Sequence, residues 1–513
     1  MSRRSLHLPP AARALLAGAG EGYLVGGSLR DLLLDRPLAD LDLAVPGDAP
    51  AFARTLAERL GGHVVLLDAE RGVARVALDD GPVRHIDVAA IQGGGIEADL
   101  ARRDFTIDAL AAPLAPLAAG EAADVIDPHG GLRDLKRGEL RLVSEQALLD
   151  DPLRLLRAVR LATQLELRIE PATAEAVRRH AAHIGEAAAE RQRDELVRCL
   201  STPRAASASG GLRLMDELGL LDLLLPEVTA GRGVEQPKEH YWDVLDHAFE
   251  TVAALDAMVP AELPRERRAG ELWRSVWETL AVWDEDAVAG LHSYLAEEMT
   301  EGRPRSTLLK LAGLLHDVAK PETRAPDETG RIRFFGHAER GAETARRIME
   351  RFRFSRRETD LVATMVEEHL RPTQLGPPGE LPTRRALFRF FRDTGEAAEG
   401  TLLLSLADAL AARGPRMPLD AWRGHVAYVG HILVCRHMDE GIARPVRLLT
   451  GDEIMAELGL GPGPEVGRLL SALEDAQGSG ELSTRDEALA FVRRFHEHAI
   501  RASSLSGVGQ LEL

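Results

Sequence analysis

One stretch restricts the fold of this chain more than any other: Tyr23-Leu-Val-Gly26-Gly27-Ser28-Leu-Arg30-Asp31, running on to Asp40-Leu41-Asp42-Leu43-Ala-Val45. Tyr23 to Val25 is a short apolar run that suits a buried strand. Gly26 and Gly27 let the backbone turn tightly and bring its N–H groups close to a ligand. Leu29, Leu32 and Leu33 recur at helical spacing, and Pro37 is expected to end that helix. Asp40 to Val45 alternates, so Asp40 and Asp42 share one face of a second strand and Leu41 and Leu43 the other. A helix start behind a glycine turn receives phosphate through free N–H groups and the helix dipole. Ser28 adds a hydroxyl and Arg30 a planar cationic fork. Two carboxylates on one strand face repel unless a hard cation lies between them, and Mg²⁺ prefers such oxygens together with substrate phosphate. Two such ions can clamp the attacking and leaving oxygens of an in-line displacement. The plainer alternative is a βα turn beside an acidic strand edge. A dinucleotide-binding turn is disfavoured because G-x-G-x-x-G is absent.

The rest of the chain supplies context. Its 513 residues call for several domains. Cys199 and Cys435 form no disulfide framework or metal knuckle, and no apolar run is long enough to span a membrane. The basic start, with Arg3 and Arg4, leads into an apolar run broken by Arg13 and Glu21, a poor signal peptide. A cytoplasmic protein is expected. The net charge of −18 argues against nucleic-acid binding by bulk charge, so any RNA contact must use local arginine patches. Arginine far outnumbers lysine, and the chain contains no asparagine.

In chain order, residues 1–21 read as a short helix and linker, and 22–110 as an α/β unit. Ala49 to Leu60 is an amphipathic helix; Val64 to Leu67, Val73 to Leu78 and Val83 to Ala89 are strands. Asp87, between Ile86 and Val88, is a candidate third metal ligand or, equally, an exposed strand residue. Arg102-Arg103-Asp104 could bind triphosphate and sugar, or simply start a charged helix with Asp104 or Thr106 as cap. Asp127 to Leu135 reads as a turn-rich loop entering a strand near Leu140 to Val143. From Asp150 the periodicity is helical. Asp151 and Arg154 lie at i, i+3 and could form an ordinary helix ion pair. They could instead read a base: arginine only donates and ionised aspartate only accepts, which suits the pairing edges of cytosine and adenine and mismatches uracil and guanine. Arg191 and Arg193, in Glu190-Arg-Gln-Arg-Asp-Glu195, could support such a pocket or form a solvated charged face.

Taken together, GGSLRD with DLD at 26–42, RRDFTIDA at 102–109, DPHGGLRDL at 127–135, DDPLRLLRAVR at 150–160 and ERQRDEL at 190–196 resemble the class II tRNA nucleotidyltransferase and bacterial poly(A) polymerase family in order and spacing. The resemblance implies that Asp40 and Asp42 hold catalytic Mg²⁺. It implies that Arg102, Arg103 and Asp104 contact the nucleotide sugar and phosphates. Asp151 and Arg154 would then template CTP and ATP, with Arg157 in support. Two positions depart from the family pattern: Asp108 stands where asparagine is usual, and Asp150 where glutamate is usual.

The second half carries His247, then Leu314-Leu315-His316-Asp317-Val318-Ala-Lys320, His337, His369 and Asp408. Separated His and Asp residues on helices are the usual makings of a metal site. This part resembles the HD phosphohydrolase superfamily. That resemblance implies a divalent metal (Mn, Ni, Fe or Co) on His247, His316, Asp317 and Asp408, with His337 and His369 as further ligands. Residues 257–306 read as a helical insertion in which Trp273, Trp277 and Trp283 pack, and residues 416–500 as helical, with a loose tail at 502–513. By the same resemblance the C-terminal module contacts the RNA body.

The expected fold class is α+β: a polymerase-β-like nucleotidyltransferase head over 1–145, then an all-α remainder comprising a neck at 146–230, an HD domain at 231–415 and a C-terminal module at 416–513. The expected reaction is template-independent transfer of CMP and AMP from CTP and ATP to a tRNA 3′ end. The rivals are poly(A), CC-only or A-only synthesis, an HD-type hydrolase of 2′,3′-cyclic phosphates or nucleotides, and a non-catalytic RNA binder. The acidic pair argues against the last of these.

Overall fold

The computed structural model describes residues 5–201, 207–258, 285–377, 379–438 and 447–506. The tryptophan-rich segment read as an insertion lies outside them from 259 to 284, as does the tail beyond 506. The chain divides into two compact units, one of Met1–Cys199 with Leu214–Leu224 and one of Leu200–Arg213 with Leu225–Leu513.

The first unit is built on strands β1 (Tyr23–Val25), β2 (Asp40–Val45), β3 (His63–Asp68), β4 (Val73–Ala77), β5 (His85–Ala90) and β6 (Ala111–Pro113). They form one sheet in the order β3-β4-β5-β2-β1-β6. Only the β2–β5 pair is parallel; its register sets Asp40 opposite His85 and Asp42 opposite Asp87. Leu41, Leu43, Ile86 and Val88 are fully buried on one sheet face, in a core shared with Leu24, Leu29 and Leu56. Burying each such side chain contributes roughly 1.5–3 kcal/mol. Alternation then places Asp40 and Asp42 on the opposite face with Ala44, which packs with Val25 and Ala111. Packing of the leucines therefore fixes where the acids point.

Helix α1 (Gly26–Leu33) begins on the glycines themselves, with Gly26 at φ +62°, and stops before Pro37: Leu34 caps it and Asp35 turns left-handed at φ 53°. Helix α2 (Ala49–Leu60) is capped by the Asp48 side chain and closed by Gly61 at φ +70°. Residues 131–137, expected to be loop, form a helix, α3 (Gly131–Arg137). Asp127 accepts from the N–H groups of Gly131 (2.7 Å) and Leu132 (3.1 Å), which starts the helix where local propensity does not. Two more helices matter to the site, α4 (Arg154–Leu165) and α5 (Ala189–Leu200).

The second unit is helical, with short hairpins at Glu298–Thr300/Arg303–Pro304 and Arg324–Pro326/Ile332–Phe334. Its helices α6 (Val244–Met258), α7 (Arg305–Leu315), α8 (His337–Arg351), α9 (Arg356–Glu368) and α10 (Ala398–Arg413) carry an extensive buried core including Leu255, Leu311, Ile348, Val362 and Leu406. Further helices at Gly451–Leu458, Pro464–Gly478 and Arg485–Ser506 form a separate core around Ile454, Leu469, Leu473 and Val492. The last helix runs through 502–506, where a loose tail is expected from the sequence.

Candidate functional site

In the first unit the β1–α1 turn sits against the acid of β2. Ser28 N–H donates to Asp42 Oδ2 at 3.0 Å. Ser28 Oγ accepts the Asp42 N–H at 2.6 Å and lies 3.0 Å from Asp42 Oδ2. A Cβ on Gly26 would stand 2.9 Å from Arg103 Nη1 and 3.4 Å from Asp42 Oδ2; one on Gly27 would stand 3.4 Å from both Arg30 Nη2 and Asp42 Oδ2. Gly26 is therefore required, by its left-handed backbone and by the crowding of Arg103, whereas a Cβ on Gly27 would only touch its neighbours. Asp42 is half-buried and Asp40 exposed on the same strand face. Burial pushes the Asp42 carboxyl up, and Asp87 adds to this, against the hydrogen bonds from Ser28. A cation between these oxygens would remove that penalty, and a set made only of carboxylates suits a hard one. Asp87 is bound through both oxygens by Arg75, at 2.7 and 2.8 Å. Sequence reasoning missed Arg75. Its register opposite Asp87 across an antiparallel pair was the available signal.

The segment 102–109 is a series of turns rather than a helix start. Arg102 is exposed, while Asp104 and Asp108 are buried. Arg157 Nε on α4 lies 3.1 Å from Asp104 Oδ2 and its Nη2 lies 4.0 Å from Asp108 Oδ2. Burial pushes the Asp104 carboxyl up, but Arg157 and Arg154 outweigh it and hold the group below its ordinary value. Thr106 donates to the buried Asp134 on α3 at 2.7 Å, and Arg141 Nη2 stands 2.7 Å from the same carboxylate. Helix α3 is thus the brace beneath this segment, a role the loop reading hid.

Asp151 and Arg154 do not pair with each other. Asp151 binds Arg191 at 2.7 and 3.3 Å and accepts the Leu153 N–H at 3.2 Å. Arg154 donates to the Ala147 carbonyl at 3.1 Å. Arg193 pairs with its neighbour Asp194 at 2.9 Å and is largely buried. The structure thus brings Gly26, Gly27, Ser28, Arg30, Asp42, Asp87 and Arg103 around one turn, and links Asp151 to Arg191 through a separate ion pair.

The second unit gathers six residues from five helices or their ends. His247 Nε2 lies 3.1 Å from His316 Nε2, 3.3 Å from Asp317 Oδ2 and 3.1 Å from Asp408 Oδ1. His337 and His369 approach Asp317 Oδ1 at 3.4 and 3.9 Å. The second ring nitrogens of three histidines face backbone carbonyls: His316 Nδ1 to Gly313 at 2.8 Å, His337 to Phe334 at 2.6 Å and His369 to Val366 at 2.7 Å. This fixes Nε2 as the atom turned into the cluster, the arrangement metal-binding imidazoles use. Both Asp317 oxygens are buried among the imidazole nitrogens of the cluster. Burial pushes the His369 imidazole down to about 4, toward its ligating form, whereas Asp317 and Asp408 overcome burial to push His316 up to about 10. Lys320 Nζ stands 2.5 Å from Asp317 Oδ2, a pairing that sequence reasoning did not single out. Three overlapping triplets of these residues have ligand atoms within 4.8 Å of one another, which fits a divalent metal with mixed nitrogen and oxygen donors.

A polymerase-type head bearing an acid pair behind a glycine turn, followed by an HD-type cluster, defines a nucleotidyltransferase with an attached HD domain. Residues 22–141 match the poly(A) polymerase head domain, 166–231 the probable RNA- and SrmB-binding site of polymerase A, and 287–413 the HD domain. The chain is 38% identical to an A-adding tRNA nucleotidyltransferase of Deinococcus radiodurans, over 97% of this chain and 99% of that one. It is 36% identical to a CC-adding tRNA nucleotidyltransferase of Thermus thermophilus, over 92% and 93%. The chain belongs to the tRNA nucleotidyltransferase family. Its fold is similar to that of a Thermotoga maritima CCA-adding enzyme complexed with tRNA (TM-score 0.55, 19% identity, 96% of this chain and 99% of that). It is also similar to a CCA-adding enzyme in complex with CTP (TM-score 0.59, 20% identity, 97% and 100%).

Proposed function

We propose that this protein adds CMP and AMP from CTP and ATP to the 3′ end of tRNA without a nucleic-acid template. The observation that carries the reading is the juxtaposition of Asp42 and Asp87 in parallel register beside the Gly26-Gly27 turn, with Arg30 and Arg103 at the same turn. Asp40, Asp42 and Asp87 would hold Mg²⁺; although Arg75 binds Asp87, each carboxylate oxygen keeps a lone pair. When bound, Mg²⁺ makes the RNA 3′-hydroxyl a better nucleophile and neutralises charge on the departing pyrophosphate. The protein's own groups do the positioning. Arg30 and Arg103 at the turn take the triphosphate, Ser28, bound to Asp42, would have to exchange that bond to join them, and Arg102 and Asp104 flank it and the sugar. Asp151, aimed by Arg191, and Arg154 meet the pairing edge of the base. The hydroxyl oxygen, its proton released to solvent, attacks the α-phosphorus, the bond to the bridging oxygen breaks, and pyrophosphate leaves. Preorganised charge and orientation provide most of the acceleration.

The C-terminal helices offer a groove of about 690 Å³ lined by Arg385, Arg389, Arg468, Phe491 and Phe495, in which Glu481 and Asp475 pair with Arg385 and Arg389; an RNA backbone bound there would replace these acids as the arginines' partners. The HD cluster supports a second reading, a site for a divalent transition metal with phosphohydrolase activity. It rests on the three converging metal triplets. Cys199 and Cys435 both remain thiols, which suits a cytoplasmic setting. Among the described residues no helix is long and apolar enough to cross a membrane.

The test uses tRNA lacking its 3′ terminus, Mg²⁺ and labelled CTP or ATP, with products sized on a gel. Defined addition is expected, abolished by Asp40→Ala and retained by His316→Ala. Long A-tails would point to poly(A) synthesis instead. Hydrolysis of a 2′,3′-cyclic nucleotide in Mn²⁺, lost in His316→Ala, would establish the second activity.

A further inference from the structure

Asp108 occupies an unusual place in the first unit. It is buried, 2% exposed. Its Oδ1 accepts from Arg30 Nη1 at 2.6 Å. Its Oδ2 is buried without a hydrogen-bond partner and lies 4.0 Å from Arg157 Nη2 on α4. Its backbone carbonyl accepts from Arg103 Nη1 at 3.4 Å. Asp31 takes the Nε of Arg30 at 3.0 Å, so two carboxylates hold two edges of that guanidinium. The remaining nitrogen, Nη2, is the one beside Gly27 and Asp42. One carboxylate therefore stands between the arginine at the glycine turn and the helix that carries Arg154 and Arg157.

We infer that Asp108 is a positioning residue that couples the triphosphate grip to the base-reading helix. The inference rests on the proposed transferase reading. The charge is what allows the coupling. An ionised carboxylate accepts on both oxygens, so it attracts Arg30 on one side and Arg157 on the other. An amide at this position would turn an NH₂ group toward one of two guanidinium groups, donor against donor. It would hold one arginine and release the other, so the tie through position 108 belongs to this chain, whose Asp108 replaces the asparagine of the family pattern. Asp104 pairs with Arg157 but with no part of Arg30 among the described ion pairs, so it cannot replace the link.

The experiment compares Asp108→Asn with the unaltered protein on tRNA lacking its 3′ terminus, measuring KM and kcat for CTP and ATP and the preference for CTP over UTP. The expected result is a KM raised about tenfold and a preference relaxed by about tenfold, with kcat changed far less, in keeping with the loss of a buried negative charge between two guanidinium groups. Melting temperature separates positioning from folding, because a merely structural role would lower it and leave KM and base preference alone. In a double-mutant cycle with Arg157→Gln, the two changes are expected to be strongly non-additive in base preference. If Asp108→Asn does not accumulate as folded protein, Asp108→Glu, which keeps the charge on a longer stem, is expected to shift the same two quantities. Unchanged KM and preference, or strict additivity with Arg157→Gln, overturns the coupling. Failure of the unaltered protein to transfer either nucleotide overturns the transferase reading instead.

Discussion

The base-reading role of Arg154 yields the sharpest quantitative prediction. In the structure its guanidinium is half-buried at the start of α4, held by the Ala147 carbonyl at 3.1 Å, and leaves donors uncommitted. Asp151 is fixed independently by Arg191 at 2.7 Å. Arg154→Ala therefore removes the donor for the ring-nitrogen acceptor of cytosine or adenine while leaving the acceptor for the amino group in place. A hydrogen bond to a charged group contributes about 1.5–3 kcal/mol, and partial exposure favours the lower end. At about 1.4 kcal/mol per tenfold, discrimination for CTP over UTP should fall by roughly 10- to 30-fold. Incorporation of labelled CTP, ATP and UTP into tRNA lacking its 3′ end, under single-turnover conditions, measures the ratio directly. The main loss should come from slower incorporation of the correct nucleotide, since UTP never made the hydrogen bond. If the ratio stays within about twofold of the unaltered protein, arginine does not read the base and the template argument fails.

Other outcomes follow from packing and charge. A Cβ at Gly131 would stand 2.1 Å from the Thr106 carbonyl oxygen, so Gly131→Ala should cost about 2–4 kcal/mol and lower the melting temperature, read by calorimetry. Burial pushes the Cys199 thiol up to about 12, whereas Cys435 is partly exposed; a thiol reagent at neutral pH should modify only Cys435 in the native protein and both after denaturation. Asp104 stays ionised in the fold because Arg157 and Arg154 outweigh its burial. Its contribution is thus present above its unfolded value near ~4 and lost as pH falls through the lower folded value. Asp104→Asn should flatten the acid limb of the unfolding curve, and an unchanged limb would show that Arg157 is not stabilised by this acid.

Periodicity revealed the scaffold where each element buries its own side chains. Leu41 and Leu43 alternate with Asp40 and Asp42, so strand, face and acid placement were readable together, and the Ala49–Leu60 helix carries its own cap and stop. What stayed hidden depends on partners distant in sequence. Helix Gly131–Arg137 looks like a loop because its opening glycines disfavour helix; it forms because Asp127 satisfies its first N–H groups and Thr106 reaches Asp134. The ion pairs of Asp87 with Arg75 and of Asp151 with Arg191 arise from strand register and helix docking, which no local window contains. Pro37 misled in the opposite direction: the helix ends earlier, where Asp35 adopts a left-handed backbone. The six HD-type residues were found by their order alone, while Lys320, three residues past Asp317, needed coordinates to show its pairing.

The parallel pairing of β2 with β5 has a consequence for how such a protein can vary. Because Asp42 faces Asp87 through backbone hydrogen bonds, the spacing of the acids is indexed by the ladder itself. Extra residues can accumulate in the 46–84 connection without disturbing that index. A single residue inserted within either strand would turn one acid to the leucine side, and no neighbouring side chain could restore it.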